Sequence, residues 1–88
     1  MSKYKIFETD QFISDLHSVP KQFRNTIEKK IHQYMYKQIV DNPFYGKNIK
    51  KLKGFKPETW RYRIGNYRLF YEIDNSRKII FIIAIDDR

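Results

Sequence analysis

The chain has 88 residues, 41% of them hydrophobic and 17% aromatic, enough to bury one compact core and too few for a second. It has no cysteine, which excludes disulfides and thiolate metal sites. Lys and Arg outnumber Asp and Glu 18 to 10, a net charge of +8, and that balance favours a polyanionic partner such as nucleic acid, an anionic membrane or an acidic protein.

The opening MSKYKIFETD lacks the apolar stretch of a signal peptide. The longest apolar run, Ile79 to Ile85, is too short to cross a bilayer. The expectation is one domain over residues 1–88, located in the cytoplasm and without a membrane partner.

Lys3 to Glu8 alternates and predicts a short strand. Thr9 or Asp10 can cap a helix starting near Gln11, with Phe12, Ile13, Leu16 and Val19 at helical spacing. Pro20 ends that helix and suits the first turn of the next. There Phe23, Ile27, Ile31, Tyr34, Met35 and Gln38 step by three or four, predicting one buried stripe. Asp41-Asn42-Pro43 closes the second helix, because proline disfavours helical geometry at the residue before it. The stretch from there to Thr59 reads as a charged loop.

Two alternating runs follow, Trp60 to Ile64 and Tyr67 to Asp74, joined by Gly65-Asn66. Glycine accepts the positive φ of a type II′ turn, so a β-hairpin is predicted. A turn over residues 74–77 leads to KIIFIIAID, apolar at both parities, which predicts a strand inside the sheet or covered on both faces. The order β-α-α-β-β-β predicts an α+β, two-layer domain: an antiparallel sheet with an N-terminal helical hairpin on one face.

Placing Ile64 opposite Tyr67 sorts the hairpin into two faces. Trp60, Tyr62, Ile64, Tyr67, Leu69, Tyr71 and Ile73 form an apolar one. Arg61, Arg63, Arg68, Phe70 and Glu72 form the other, with Arg63 opposite Arg68. Like charges across a strand pair cost stability, so three arginines held this way invite a functional reading. Guanidinium forks match phosphate oxygens bidentately, and a neighbouring aromatic such as Phe70, or Tyr45 from the preceding loop, can stack on a base. From Phe44 to Ile73 there are eight Lys or Arg against Glu58 and Glu72, so most of the net charge sits in one third of the chain. Lys50, Lys51 and Lys53, with Phe70, are the candidate nucleic-acid-binding residues, which the resemblance described below makes RNA-binding.

Other constellations are poor. His17 and His32 fall on helices without a carboxylate at partner spacing. Asp86 and Asp87 could hold a cation but read better as a solvated strand end. No metal-ligand cluster, phosphate-cradling glycine loop or Ser-His-Asp pattern is present, and neither metal nor cofactor is expected.

The segment KKLKGFKPETWRYRIGNYRLFYEID followed by KIIFIIAIDDR resembles the RelE/ParE toxin superfamily of toxin–antitoxin modules. The resemblance spans the initial strand, helical hairpin, LKG-type loop, R-x-R-x-G-x-Y-R hairpin and an Arg-terminated last strand. RelE-like members, the favoured branch, are ribosome-dependent endoribonucleases. They cut mRNA in the ribosomal A site without metal: the ribose 2′-hydroxyl attacks the adjacent phosphate. Carried over by position, the resemblance implies catalytic roles for Arg61, Arg63, Arg68 and Arg88. The first two would position the phosphate, and Arg68 and Arg88 would stabilise the phosphorane. Many members carry a tyrosine or histidine past the final arginine as acid or base. Up to Arg88 that residue has no counterpart, and arginine is a poor base, so Tyr45, Tyr67 or Lys53 are the expected substitutes. The alternatives are a ParE-like, non-hydrolytic gyrase inhibitor or a catalytically weak RNA-binding member. Either toxin branch implies an acidic cognate antitoxin that wraps the toxin in a hetero-oligomer.

Overall fold

The computed structural model describes residues 3–87. Strand β1 (Lys5–Glu8) leads into helix α1 (Asp10–Ser18). Thr9 caps that helix: its Oγ1 accepts from the Phe12 N–H at 3.2 Å and donates to the Ile82 carbonyl at 2.8 Å. One side chain thus satisfies an orphan helix donor and ties the helix start to the last strand.

Helix α2 (Lys21–Lys30) starts after Pro20 and runs into a π-turn over Ile31–Met35, then α3 (Tyr36–Asp41). The predicted stripe needs correction here. Ile27, Ile31, Met35 and Ile39 are buried, whereas Phe23 and Tyr34 are 48% and 62% exposed. Steps of four overshoot an α-turn of 3.6 residues, and the wider turn takes up the excess. The Tyr36 N–H reaching back to the Ile31 carbonyl marks it. The three-and-four pattern of the sequence holds only for an uninterrupted α-helix.

Four further strands complete the sheet: β2 (Ile49–Leu52), β3 (Thr59–Ile64), β4 (Tyr67–Asp74) and β5 (Ile79–Asp87). Their order is β1-β5-β4-β3-β2. The α+β, two-layer expectation holds, with two differences. The sheet is mixed, because β1 pairs parallel with β5. In addition, the segment read as loop contains an edge strand, β2, antiparallel to β3. Lysine-rich composition hid it, yet lysines are what edge strands carry to discourage pairing with other chains.

The hairpin register is the predicted one, with Ile64 opposite Tyr67, Arg63 opposite Arg68 and Tyr62 opposite Leu69. Gly65 has φ 56° and Asn66 does not share the positive sign, the pattern of a type II′ turn. The helices pack on the predicted apolar face. Phe12, Ile31, Met35 and Ile39 meet Trp60, Tyr62, Leu69, Tyr71, Ile80 and Ile82 in one buried cluster. Each large aliphatic side chain buried there contributes about 1.5–3 kcal/mol.

The tyrosines of this core place their hydroxyls on definite acceptors. Tyr62 donates to Gln38 Oε1 at 2.7 Å, Tyr36 to Glu8 Oε2 at 2.6 Å, and Tyr71 to the Pro43 carbonyl at 2.7 Å. These bonds join the helical layer and the chain after α3 to the sheet. Strand β5 outruns β1, and helix α1 serves its open edge: Asp15 Oδ2 accepts from the Ile85 N–H at 3.0 Å.

Candidate functional site

The face turned away from the helices carries the cationic residues, and the register sets them in rows. Lys50 pairs with Arg61, Arg61 with Phe70 and Phe70 with Ala84. Two positions nearer the turn, Arg63 pairs with Arg68 and Arg68 with Asp86. Arg61, Arg63, Arg68 and Phe70, selected from sequence parity, and Lys50, taken from the charged loop, therefore share one face on three adjoining strands.

Their environments differ. Arg63 is exposed, while Arg61, Arg68 and Phe70 are half-buried. The Arg68 guanidinium carbon lies 6.0 Å from the Phe70 ring centroid, within cation–π range. The Nε atoms of Arg61 and Arg68 are buried without a hydrogen-bond acceptor. A desolvated donor with no acceptor costs free energy. Among the described residues, neither Arg61 nor Arg63 has a carboxylate partner; Arg68 has one, Asp86, whose Oδ2 lies 2.5 Å from Nη2.

The remaining candidates scatter. Lys51 points to the other side of β2: its ammonium lies 5.6 Å from the Trp60 ring centroid and 2.7 Å from Glu58 Oε2. It does not join the arginine rows, because strand parity separates it from Lys50. Lys53 is exposed beyond the end of β2. Tyr67 has core parity and lines a cleft with Val19 and Ile85, so it faces away from the arginines. Tyr45 is 78% exposed in the loop before β2. Arg88 lies outside the described residues. His17 and His32 are exposed on helices, on the layer opposite the cationic face.

Asp86 is exposed at the strand end, as the sequence suggested, but sequence reasoning missed its pairing with Arg68. It read as part of a solvated pair with Asp87. A β-bulge makes Ala84 and Ile82 the partners of Phe70 and Tyr71, leaving Ile83 as the extra residue. That extra residue shifts the parity of the strand end and sets Asp86 beside Arg68. The alternation of Asp86 and Asp87 was visible in the sequence, but not which of them faces the arginines. Among the described residues no group of three or more His, Asp or Glu is placed to hold a metal, and no helix is long and apolar enough to cross a membrane.

The sequence profile of the ParE toxin of type II toxin–antitoxin systems, parDE, matches residues 6–88. The chain belongs to that toxin family. Solved structures extend the likeness. The toxin–antitoxin complex RelBE2 from Mycobacterium tuberculosis superposes with a TM-score of 0.74 at 25% identity, covering 100% of this toxin and 94% of that chain. The RelB–RelE complex from Methanococcus jannaschii does so with a TM-score of 0.65 at 26% identity, over 93% and 89% of the two chains. The intact E. coli RelBE complex, at 18% identity and a TM-score of 0.69 over 97% and 96%, shares the fold. Among curated proteins none matches the toxin. The RelE/ParE membership expected from the hairpin and last strand is therefore established, and the toxin is the toxin component of a type II module.

Proposed function

We propose that this toxin is a RelE-like endoribonuclease that cleaves mRNA in the ribosomal A site by attack of the 2′-hydroxyl on the adjacent phosphate. The observation that carries the reading is the set Arg61, Arg63 and Arg68 on one uncovered face of adjoining strands. Among the described residues two of the three lack a carboxylate partner. Rigid cations stabilise developing charge without reorganising during the reaction. Arg61 and Arg63 hold the phosphate, Arg68 faces the charge that builds on the phosphorane, and Arg88 joins it as the family resemblance implies. Lys50 tracks the RNA backbone, Lys53 extends the cationic path, and Phe70 offers a face to a base.

The Arg68–Asp86 contact does not oppose this. Both side chains are open, 36% and 54% exposed, and ion pairs of that kind are worth about 0–1 kcal/mol. A phosphate can therefore share Arg68 with Asp86 at small cost.

A cognate acidic antitoxin completes the picture, in a hetero-oligomer in the cytoplasm. Support comes from the +8 charge of the chain and from RelE-type relatives whose structures are toxin–antitoxin complexes. A disordered acidic segment that folds on binding suits such a surface.

The match to the ParE toxin profile favours a second reading, non-hydrolytic inhibition of DNA gyrase, in which the cationic face is a binding epitope. One pair of assays separates the two. Incubated with translating ribosomes, the toxin should yield mRNA fragments ending in 2′,3′-cyclic phosphate and 5′-hydroxyl, while purified gyrase supercoils DNA undisturbed. Intact mRNA together with blocked supercoiling would overturn the nuclease in favour of the inhibitor.

A further inference from the structure

The arginine rows hold and neutralise a phosphate, but transesterification also needs a group to take the proton of the 2′-hydroxyl. Arginine and lysine are protonated at neutral pH. The histidines lie on the helical layer, Tyr62, Tyr67 and Tyr71 have core parity, and Tyr45 sits in the loop before β2, outside the arginine rows. Carboxylates remain. On the open face Asp74 is tied to Arg77 at 2.7 Å, and Glu72 stands opposite Phe81, beyond Phe70 and away from the Arg63–Arg68 row. Asp86 stands in that row.

We infer that Asp86 is the general base of the cleavage reaction, oriented by Arg68; the inference rests on the ribonuclease reading above. The Arg68 fork binds one carboxylate oxygen, Oδ2, at 2.5 Å. Among the described residues the other, Oδ1, has no partner. In the step, the 2′-hydroxyl proton passes to Asp86 as the O2′–P bond forms. The P–O5′ bond breaks, and the departing O5′ takes a proton from water. The resulting hydroxide removes the proton from Asp86, leaving a 2′,3′-cyclic phosphate and a 5′-hydroxyl. No other reagent is required.

Arg68 faces Asp86 directly from β4, and Arg63 of β3 stands next in the row. On the core side of the strand end, Asp15 of α1, Tyr67 of β4 and Asp87 share a cleft with it. Asp87 pairs with Tyr67 rather than with an arginine, so it offers a control with the same charge change.

The test is single-turnover mRNA cleavage on programmed ribosomes, across pH, with wild type, Asp86→Asn, Asp86→Glu and Asp87→Asn. Binding of a 2′-deoxy substrate analogue reports folding independently. Asp86→Asn should lower the cleavage rate by about 10²–10⁴-fold, the usual contribution of a general base. It should also lose the acid limb of the pH–rate profile while binding the analogue at least as tightly. Asp86→Glu should recover part of the rate and Asp87→Asn should match wild type. An active wild type with an equally active Asp86→Asn, or one whose defect lies only in binding, would overturn the assignment while leaving the nuclease intact. A wild type that leaves mRNA uncut would overturn the nuclease reading and this inference with it.

Discussion

Arg63 and Arg68 face each other directly across the β3–β4 pair, with Asp86 as the next neighbour of Arg68. Opposed like charges destabilise a sheet, so the arrangement is maintained against the local preference of the fold. Its use shows in salt dependence. Each phosphate neutralised on a single strand contributes about 0.7 to the slope of log affinity against log salt. Arg63→Gln should therefore lower the slope for a single-stranded RNA by about that amount. Lys51→Gln, which removes the same charge from the other side of β2, should leave it unchanged. Equal losses for both would show that only total charge matters.

Gly46 supports the site from below. Its φ is 150°, and a Cβ added there would stand 2.3 Å from Gln38 Nε2. Gln38 accepts from the Tyr62 hydroxyl at 2.7 Å and donates to the Lys47 carbonyl at 3.1 Å. Gly46→Ala should displace Gln38 and strand the Tyr62 hydroxyl, costing about 1–3 kcal/mol. Urea denaturation of Gly46→Ala, Gln38→Ala and the double variant checks this. The two costs should fall short of adding, because the second change acts on a contact already lost.

Burial raises the pKa of Tyr36, and its hydrogen bond to the Glu8 carboxylate raises it further. Burial also raises that of Tyr71, with Tyr62 nearby. The unfolded chain releases these protons near pH 10, the usual phenol range, while the native chain keeps them. Their contribution is thus complete below that pH and is lost as pH rises above it. Tyr36→Phe should make the alkaline decline of unfolding free energy shallower by about 1.4 kcal/mol per pH unit. An unchanged slope would mean that Tyr36 ionises in the folded state.

Asp74 shows the opposite sign. The Arg77 side chain, then the Arg77 backbone N–H and the Ser76 hydroxyl, hold its carboxyl down at about 2. Its contribution is present above the ordinary Asp range and is lost as pH falls through about 2. Proton titration by NMR should place Asp74 below the ordinary Asp range, and high salt should move it upward. A salt-independent value would point to the fixed backbone and Ser76 contacts in place of Arg77.

Much of the fold was legible because its determinants are local. Thr9, Pro20 and Pro43 mark the helix ends, and the Gly65-Asn66 corner fixes the hairpin register. Parity then sorted Arg61, Arg63, Arg68 and Phe70 onto one face. Three features were not legible, each because it depends on a neighbour. Strand β2 exists because β3 offers an edge; its own Lys50-Lys51 composition does not announce a strand. The π-turn answers to the core that Ile31, Met35 and Ile39 must reach together. Asp86 takes its place from a bulge at Ile83, which no periodicity in KIIFIIAID reveals.

The most direct measurement is the rate of ribosome-programmed mRNA cleavage by Arg68→Ala relative to wild type, both first shown to melt alike. Removing a preorganised charge that meets the transition state costs about 10²–10³-fold, and a loss of that size with cyclic-phosphate ends on the residual product is the predicted result. Cleavage by Arg68→Ala at the wild-type rate would contradict the account.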